Sequence, residues 1–343
     1  MHIQEGIETL MTGQDLSRKE ISSVMNQILT GSASEAQIRA FLVSLSFKGE
    51  SVDEVIGSAQ VMRKLSSKVS VDKKNLVDTC GTGGVGIKIF NVSTTAAFVA
   101  SSCGAKVAKH GNRSATRKSG SADLLETAGV SIDLNPEQVK TCIEEVGLGF
   151  MFAPTHHSAM KYAVGPRKDL AIKTIFNLLG PLTNPAGVLN QVLGVFDVRW
   201  VRPIAEVLNG LGSQHVLVVH SEDGLDEISI AAPTRVAELK DGKIEEYSIS
   251  PEDFDLKTLS IDELKVDSPE ASFELAKKAL NDKHLAASQM VAMTAGAALY
   301  VSGLAKELKE GIKLSLENIA TGKGLEKLEQ ISSLSQSLSK QRK

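Results

Sequence analysis

The sequence predicts an α/β protein, with a small all-helical N-terminal domain and a larger α/β domain whose mostly parallel central sheet is covered by helices. Three observations predict it. Capping-box patterns occur three times in the first 67 residues, each ahead of apolar residues at helical spacing. From Leu76 onward, short apolar runs that end at glycine alternate with helical stretches, as strand–helix units do. Asp241-Gly242 lies between two alternating segments and marks a hairpin turn.

The capping boxes Ser17-x-x-Glu20, Ser34-x-x-Gln37 and Ser51-x-x-Glu54 open three helices. Their apolar faces carry Ile21, Val24, Met25 and Ile28, then Ile38, Phe41, Leu42 and Leu45, then Val55, Ile56 and Val61. Helices this short must bury those faces against one another or a partner chain, and about four are expected from usual helix lengths. Leu76 to Cys80 reads as a strand, Thr94 to Ser102 as a small-residue helix, Ala105 to His110 as a second strand and Ala122 to Ala128 as a second helix. Ser131 to Leu134 reads as a third strand. Asn135-Pro-Glu-Gln138 combines an N-cap, a first-turn proline and a capping-box glutamine. Phe150 to Ala153 ends at Pro154, and a helix from Asp169 to Leu179 is terminated by Gly180-Pro-Leu-Thr-Asn-Pro185. Gln191 to Phe196 and Val216 to His220 read as strands around a helix from Val201 to Leu211. Pro269 to about Ser335 is helical, and the last five residues read as frayed.

With 343 residues the chain has room for two domains, and 42% apolar with 4% aromatic residues predicts an aliphatic, alanine-rich core. A net charge of −3 gives no basic surplus for nucleic acid or a membrane surface. No apolar run has the length of a membrane span, and the first residues do not form a signal peptide. Cys80, Cys103 and Cys142 lack metal-site spacing and cannot all pair, so a reduced cytoplasmic protein is expected.

The stretch from Asp78 to Asp123 carries the densest chemistry. Gly81-Thr-Gly-Gly84, Lys109-His-Gly-Asn-Arg113 and Ser119-Gly-Ser121 are three glycine turns rich in hydroxyl, amide or cationic groups. Glycine lets backbone approach a ligand, and free N–H groups at helix starts bind anions, so the three together read as a polyphosphate cradle. On the residues alone Asp226 and Glu227 suit either a surface turn or, with a diphosphate opposite, a magnesium site. His156 and His157 are adjacent and do not converge on one ion from a regular element, so a structural or substrate-lining role is expected for one of them.

These residues, with Asn91-Val-Ser-Thr94, Asn177 to Pro185 and Gly224 to Ser229, resemble the anthranilate phosphoribosyltransferase family over essentially the whole chain. The resemblance implies a small helical domain (residues 1–70, with about 165–186 packed on it) and a large α/β domain (71–164 and 187–343). It implies a homodimer through the small domains and two magnesium ions bound with the diphosphate. Its substrates would be phosphoribosyl pyrophosphate and anthranilate. Carried over by position, phosphoribosyl pyrophosphate contacts fall on Gly81, Gly84, Val85, Ile89, Asn91, Val92, Ser93, Thr94, Lys109, His110, Gly111, Asn112, Arg113, Ser114, Ala115, Thr116, Arg117 and Ser121. Anthranilate contacts fall on Gly81, Asn112, His157 and Arg167, and metal contacts on Ser93, Asp226 and Glu227. No residue is assigned as acid or base. Two positions depart from the family's pattern: Val85 stands where an aspartate usually follows the glycines, and Ser114-Ala-Thr-Arg117 replaces a run that usually ends in a small residue. A pyrimidine nucleoside phosphorylase of the same fold type and a nucleic-acid-binding relative are the competing readings.

Overall fold

The structure, a computed structural model, describes residues 1–113 and 119–341. Four helices open the chain: α1 (Ile3–Met11), α2 (Arg18–Leu29), α3 (Glu35–Lys48) and α4 (Val52–Leu65). The serines of all three capping boxes accept the N3 amide as expected, from Glu20, Gln37 and Glu54. Buried Glu54 does more than cap, because it also accepts the Leu16 amide and the Lys48 ammonium. That ties the α1–α2 and α3–α4 connections together.

The chain then builds β1 (Leu76–Gly81), α5 (Val92–Ser102), β2 (Lys106–Gly111), α6 (Ser121–Thr127), α7 (Pro136–Val146) and β3 (Leu148–Phe152). Next come α8 (Ala153–His156), α9 (Lys161–Leu170), α10 (Phe176–Leu182), β4 (Asn190–Gly194), α11 (Val201–Gly210) and β5 (His215–Ser221). A hairpin, β6 (Thr234–Lys240) and β7 (Lys243–Ile249), precedes α12 (Pro269–Leu280), α13 (Leu285–Val301), α14 (Leu308–Ala320) and α15 (Lys323–Lys340). The seven strands form one sheet in the order β3-β2-β1-β4-β5-β6-β7. The first five are parallel, and the hairpin adds two antiparallel strands at one edge. Asp241 and Gly242 both take positive φ at its turn, as a two-residue Asp-Gly hairpin requires.

Burial divides into two apolar clusters. On one side of the sheet, α5, α13 and α15 pack with the alanine-rich core that the composition predicts. The other cluster runs without a break from the N-terminal helices through α9 and α10 to α11 and the opposite sheet face.

Three readings need correction. Val130, Ile132 and Leu134 alternate into the core as a strand would, yet Ser131–Leu134 pairs with no other strand. Alternation reports one buried face; it does not supply a neighbour with free N–H and C=O groups. The expected helix from Asp169 to Leu179 is two helices, broken where Ala171 takes φ +51° and caps α9. The second ends at Leu182, inside the expected Gly180–Pro185 terminator, with Pro181 in its last turn. The C-terminal helix also continues to Lys340, held where the Gln138 side chain donates to the Leu338 carbonyl.

Where α13 and α14 cross, the two backbones touch: a Cβ on Gly296 would lie 2.4 Å from the Ile312 nitrogen. Gly296→Ala should therefore destabilise the fold by about 1–3 kcal/mol through overpacking, read as a lower denaturation midpoint. The KM values should not change, because this crossing lies outside the cavity described next.

Candidate active site

Five parallel strands end at the same edge of the sheet, where the ends of β1 and β2, the segment after β3 and the loop after β5 line one cavity of about 540 Å3. Clefts beyond the carboxyl ends of parallel strands are where open α/β sheets bind ligands. The cavity has two chemically distinct ends.

The polar end is assembled around the turn after β1. The loop after β5 folds back until Asp226 Oδ2 accepts the Gly83 amide at 2.9 Å. This approach is possible only because two positions lack side chains. A Cβ on Gly194 would lie 1.8 Å from the Asp226 carbonyl oxygen, and one on Gly81 would lie 2.9 Å from Asp226 Oδ2. Beside it, Glu227 Oε1 accepts from Ser93 Oγ at 2.6 Å and from the Ser93 amide at 3.3 Å. The carboxylate thus sits on the N-terminal turn of α5, where the helix dipole favours an anion. Ser93 and Glu227, 134 positions apart, are hydrogen-bonded, and both line the cavity with Asp226. Their donors are all hard oxygens, and among the described residues no cluster of three or more His, Cys, Asp or Glu forms a cage. Such a set fits magnesium, which takes one or two carboxylates and completes its shell with phosphate oxygens and water.

Beneath this end lies a charge pair that the sequence does not announce. Asp78 is fully buried and accepts from the His110 amide and from Asn184 Nδ2, the latter at 2.8 Å. Asn184 Nδ2 also donates to the Ala108 carbonyl at 2.8 Å, so the pair clamps β1 to β2. Lys109, buried beside it, donates to the Thr79 carbonyl. Burial pushes the aspartate up and the lysine down, and each charge offsets the other's shift. Burial likewise raises the Cys80 thiol well above its ordinary value, which suits a packed residue under the turn and not a nucleophile.

The other end is largely apolar, with Lys161 and Arg167 of α9 in its lining. Met62, Met160, Val164, Phe176 and Pro181 line it, and the Arg167 guanidinium lies 5.2 Å from the Phe176 ring centroid. Among the described residues Arg167 has no carboxylate partner, and burial lowers its pKa. His110 and His157 stand between the two ends with ring centroids 5.0 Å apart. His110 Nδ1 lies 3.1 Å from the Gly180 carbonyl oxygen, so Nδ1 carries the proton and Nε2 is a bare acceptor. Burial, reinforced by the neighbouring histidines, lowers His110 to about 3 and His157 to about 4. His156 is also buried but points away, its Nδ1 on the Phe152 carbonyl, and it does not line the cavity.

Most of the expected contact residues line this one cavity: Gly81, Gly84, Asn91, Ser93, Thr94, Lys109 to Arg113, Ser121, His157, Arg167, Asp226 and Glu227. Val85, Ile89 and Val92 do not; their side chains are buried in the protein, with Ile89 bridged to Lys265. Adjacency to a motif does not turn an apolar side chain toward a polar ligand. Ser114, Ala115, Thr116 and Arg117 lie outside the described residues. The cation of Arg113 is not isolated: it pairs with Glu126 at 2.5 Å and Asp123 at 2.9 Å, which hold it above the ordinary guanidinium range. The apolar wall was missed altogether. Its one signal is the Asn177 to Pro185 motif, which carries Gly180, Pro181 and Thr183 into the lining.

Comparison with known proteins agrees with this geometry. Residues 4–66 match the helical bundle domain of a glycosyl transferase family, and residues 73–325 match the family's α/β domain. A Marinomonas protein named anthranilate phosphoribosyltransferase is 58% identical over 335 residues, covering 97% of both chains. One of that name from Ectopseudomonas mendocina is 55% identical with the same coverage. The crystal structure of the Thermus thermophilus enzyme superposes with a TM-score of 0.91 at 40% identity, covering 96% of this chain and 99% of that one. The Saccharomyces cerevisiae enzyme, solved in complex with phosphoribosyl pyrophosphate and magnesium, gives a TM-score of 0.88 at 25% identity and covers 98% of each chain. In sequence over its whole length, and in the fold that builds this cavity, the chain belongs to the anthranilate phosphoribosyltransferase family.

Proposed function

We propose that the protein transfers the phosphoribosyl group of 5-phosphoribosyl 1-pyrophosphate to the amino group of anthranilate, releasing pyrophosphate, in tryptophan biosynthesis in the cytoplasm. The observation that carries this reading is the cavity's division. A hard-oxygen, glycine-rich end suits a diphosphate with magnesium, and a largely apolar end that carries the Arg167 guanidinium against Phe176 suits a small aromatic carboxylate. The names of the relatives favour it over the phosphorolytic and nucleic-acid-binding readings.

The diphosphate and ribose lie along Gly81 to Gly84, Asn91, Ser93, Thr94, the Lys109 to Arg113 strand end and Ser121. Ser93, Asp226 and Glu227 hold magnesium, two ions in this proposal, which neutralises charge on the departing diphosphate. The chain's own part is binding and orientation. Polar groups of Asn91, Thr94 and Ser121 line the end where the diphosphate oxygens would gain charge as the C1–O bond breaks. Arg167 pairs with the acceptor's carboxylate and, with Phe176 beside it, turns the amine toward C1. An aromatic amine is neutral near pH 7, so its lone pair forms the N–C1 bond without prior deprotonation. The proton that the nitrogen sheds once the bond has formed passes to the released diphosphate or to solvent, and the buried Nε2 atoms of His110 and His157, without hydrogen-bond partners among the described residues, are not assigned as its acceptor. Residues 1–70 with 165–186 are proposed to move as one domain against the rest, which would let the Arg167 end approach the glycine end.

A homodimer is proposed through α3. Ala36, Ala40, Val43 and Phe47 form an exposed stripe at spacings of four, three and four residues, the seam of two packed helices. Phe47 is 93% exposed, and the buried face of α3 lies on its other side. A second copy of the chain would cover this stripe.

Loss of anthranilate fluorescence in the presence of phosphoribosyl pyrophosphate and magnesium tests the activity, and a chain that releases no pyrophosphate under these conditions refutes it. Arg167→Met should raise the KM for anthranilate by about tenfold to a hundredfold, the worth of a charge-assisted pair, and leave that for phosphoribosyl pyrophosphate nearly unchanged. His110 and His157 should contribute no histidine limb to the rate profile between about pH 5 and 8. Their effect should appear in stability. Both folded values lie below the ordinary histidine value of about 6.5, so their contribution is complete above that pH. It is lost as pH falls toward about 4 and about 3, which thermal unfolding from neutral to acid pH would register. Phe47→Glu should sediment as a monomer where the wild type sediments as a dimer.

A further inference from the structure

Asn91 occupies the N-cap of α5, where an asparagine side-chain oxygen ordinarily accepts a first-turn amide. Here it makes no such bond. The Ser93 amide goes to Glu227 instead, and the Asn91 amide group is held elsewhere. Its Oδ1 accepts from Ser119 Oγ at 2.8 Å and from Ser272 Oγ at 2.8 Å. The backbone amide of Asn91 donates to the same Ser272 oxygen at 3.1 Å. Ser272 lies on α12, 181 positions away, is fully buried and belongs to none of the motifs described above.

An amide oxygen has two lone pairs, and the two hydroxyls use both. Among the described residues the amide nitrogen makes one long contact, 3.4 Å to the Ser119 carbonyl. Asn91 lines the cavity, so its remaining N–H capacity belongs to the polar end. If the amide turned over, the Ser272 oxygen would have to accept from both the Asn91 backbone and the Asn91 side chain. Its own proton would then lose its acceptor in a dry interior, which is costly. The cavity would also face an anion with an oxygen in place of an N–H.

We infer that Ser272, with Ser119, is a positioning residue that locks the Asn91 side chain so that it presents Nδ2, not Oδ1, to the diphosphate. The inference rests on the diphosphate reading of the cavity's polar end. Ser272 lies outside every recognisable motif, and with Ser119 it occupies the Asn91 oxygen that would otherwise cap α5.

Calorimetric titration of inorganic pyrophosphate with magnesium into the full chain tests it in a double-mutant cycle. Ser272→Ala should weaken binding by roughly fivefold to tenfold, as expected for one hydrogen bond, and Asn91→Ala by at least as much. In the Asn91→Ala background, Ser272→Ala should add nothing. The KM for phosphoribosyl pyrophosphate should rise in parallel while that for anthranilate stays constant. Ser272→Cys, close in volume but a poor donor, should follow the alanine variant. Equal losses from Ser272→Ala with and without Asn91 would make Ser272 a packing residue of α12 and overturn the inference, as would wild-type affinity in either Ser272 variant. Wild-type protein that binds no pyrophosphate would refute the diphosphate reading itself.

Discussion

The site depends on one close approach, the seating of the Asp226–Glu227 loop against the glycine turn after β1. Asp226 accepts the Gly83 amide and Glu227 accepts both donors of Ser93, so one short loop reaches the phosphate-type turn and the start of α5 together. Side chains at positions 81 and 194 would prevent it, because backbone and carboxylate of Asp226 fill the space where their Cβ atoms would go. Both glycines end strands, so the same residues that terminate β1 and β4 admit the carboxylates.

Charge in the site is organised in layers. The exposed-facing layer carries the carboxylates, hydroxyls and amides that meet ligand. Below it, the buried Asp78–Lys109 pair and Asn184 hold the ends of β1 and β2 in register with that layer. Burying the Asp78 carboxylate carries a desolvation cost that the charge of Lys109 only partly offsets. The value of the pair here is geometric, because Asp78 also bonds the His110 amide and so aims the Lys109 to Asn112 strand end. The dry layer also keeps His110 and His157 neutral between the two halves of the cavity.

The apolar end comes from elements that pack as part of the helical core. Phe176, Leu178, Leu179 and Leu182 of α10 share a cluster with the N-terminal helices, while Phe176 also supports Arg167 in the cavity. The apolar end of the cavity therefore shares its packing with the N-terminal helices and one face of the sheet.

Local physics in the sequence was enough for the helix starts, the strand ends and the hairpin. Capping boxes, a first-turn proline and Asp-Gly each act within a few residues, so Ser17, Ser34, Ser51, Asn135 and Asp241 announce their own structure. The family's motifs likewise gathered most of the cavity's residues. What stayed hidden depended on partners distant in the chain. Ser131–Leu134 alternates like a strand but lacks a neighbour, and the break at Ala171 reflects a left-handed cap that no local signal marks. Val85, Ile89 and Val92 sit in or beside the motifs yet are buried, Ile89 and Val92 in the core, because burial is decided by what packs against a side chain. Ser272 is the clearest case. A lone serine on a helix has no pattern to read, and only the tertiary structure brings its hydroxyl to Asn91, since a hydrogen bond is set by distance in space and carries no signature along the chain.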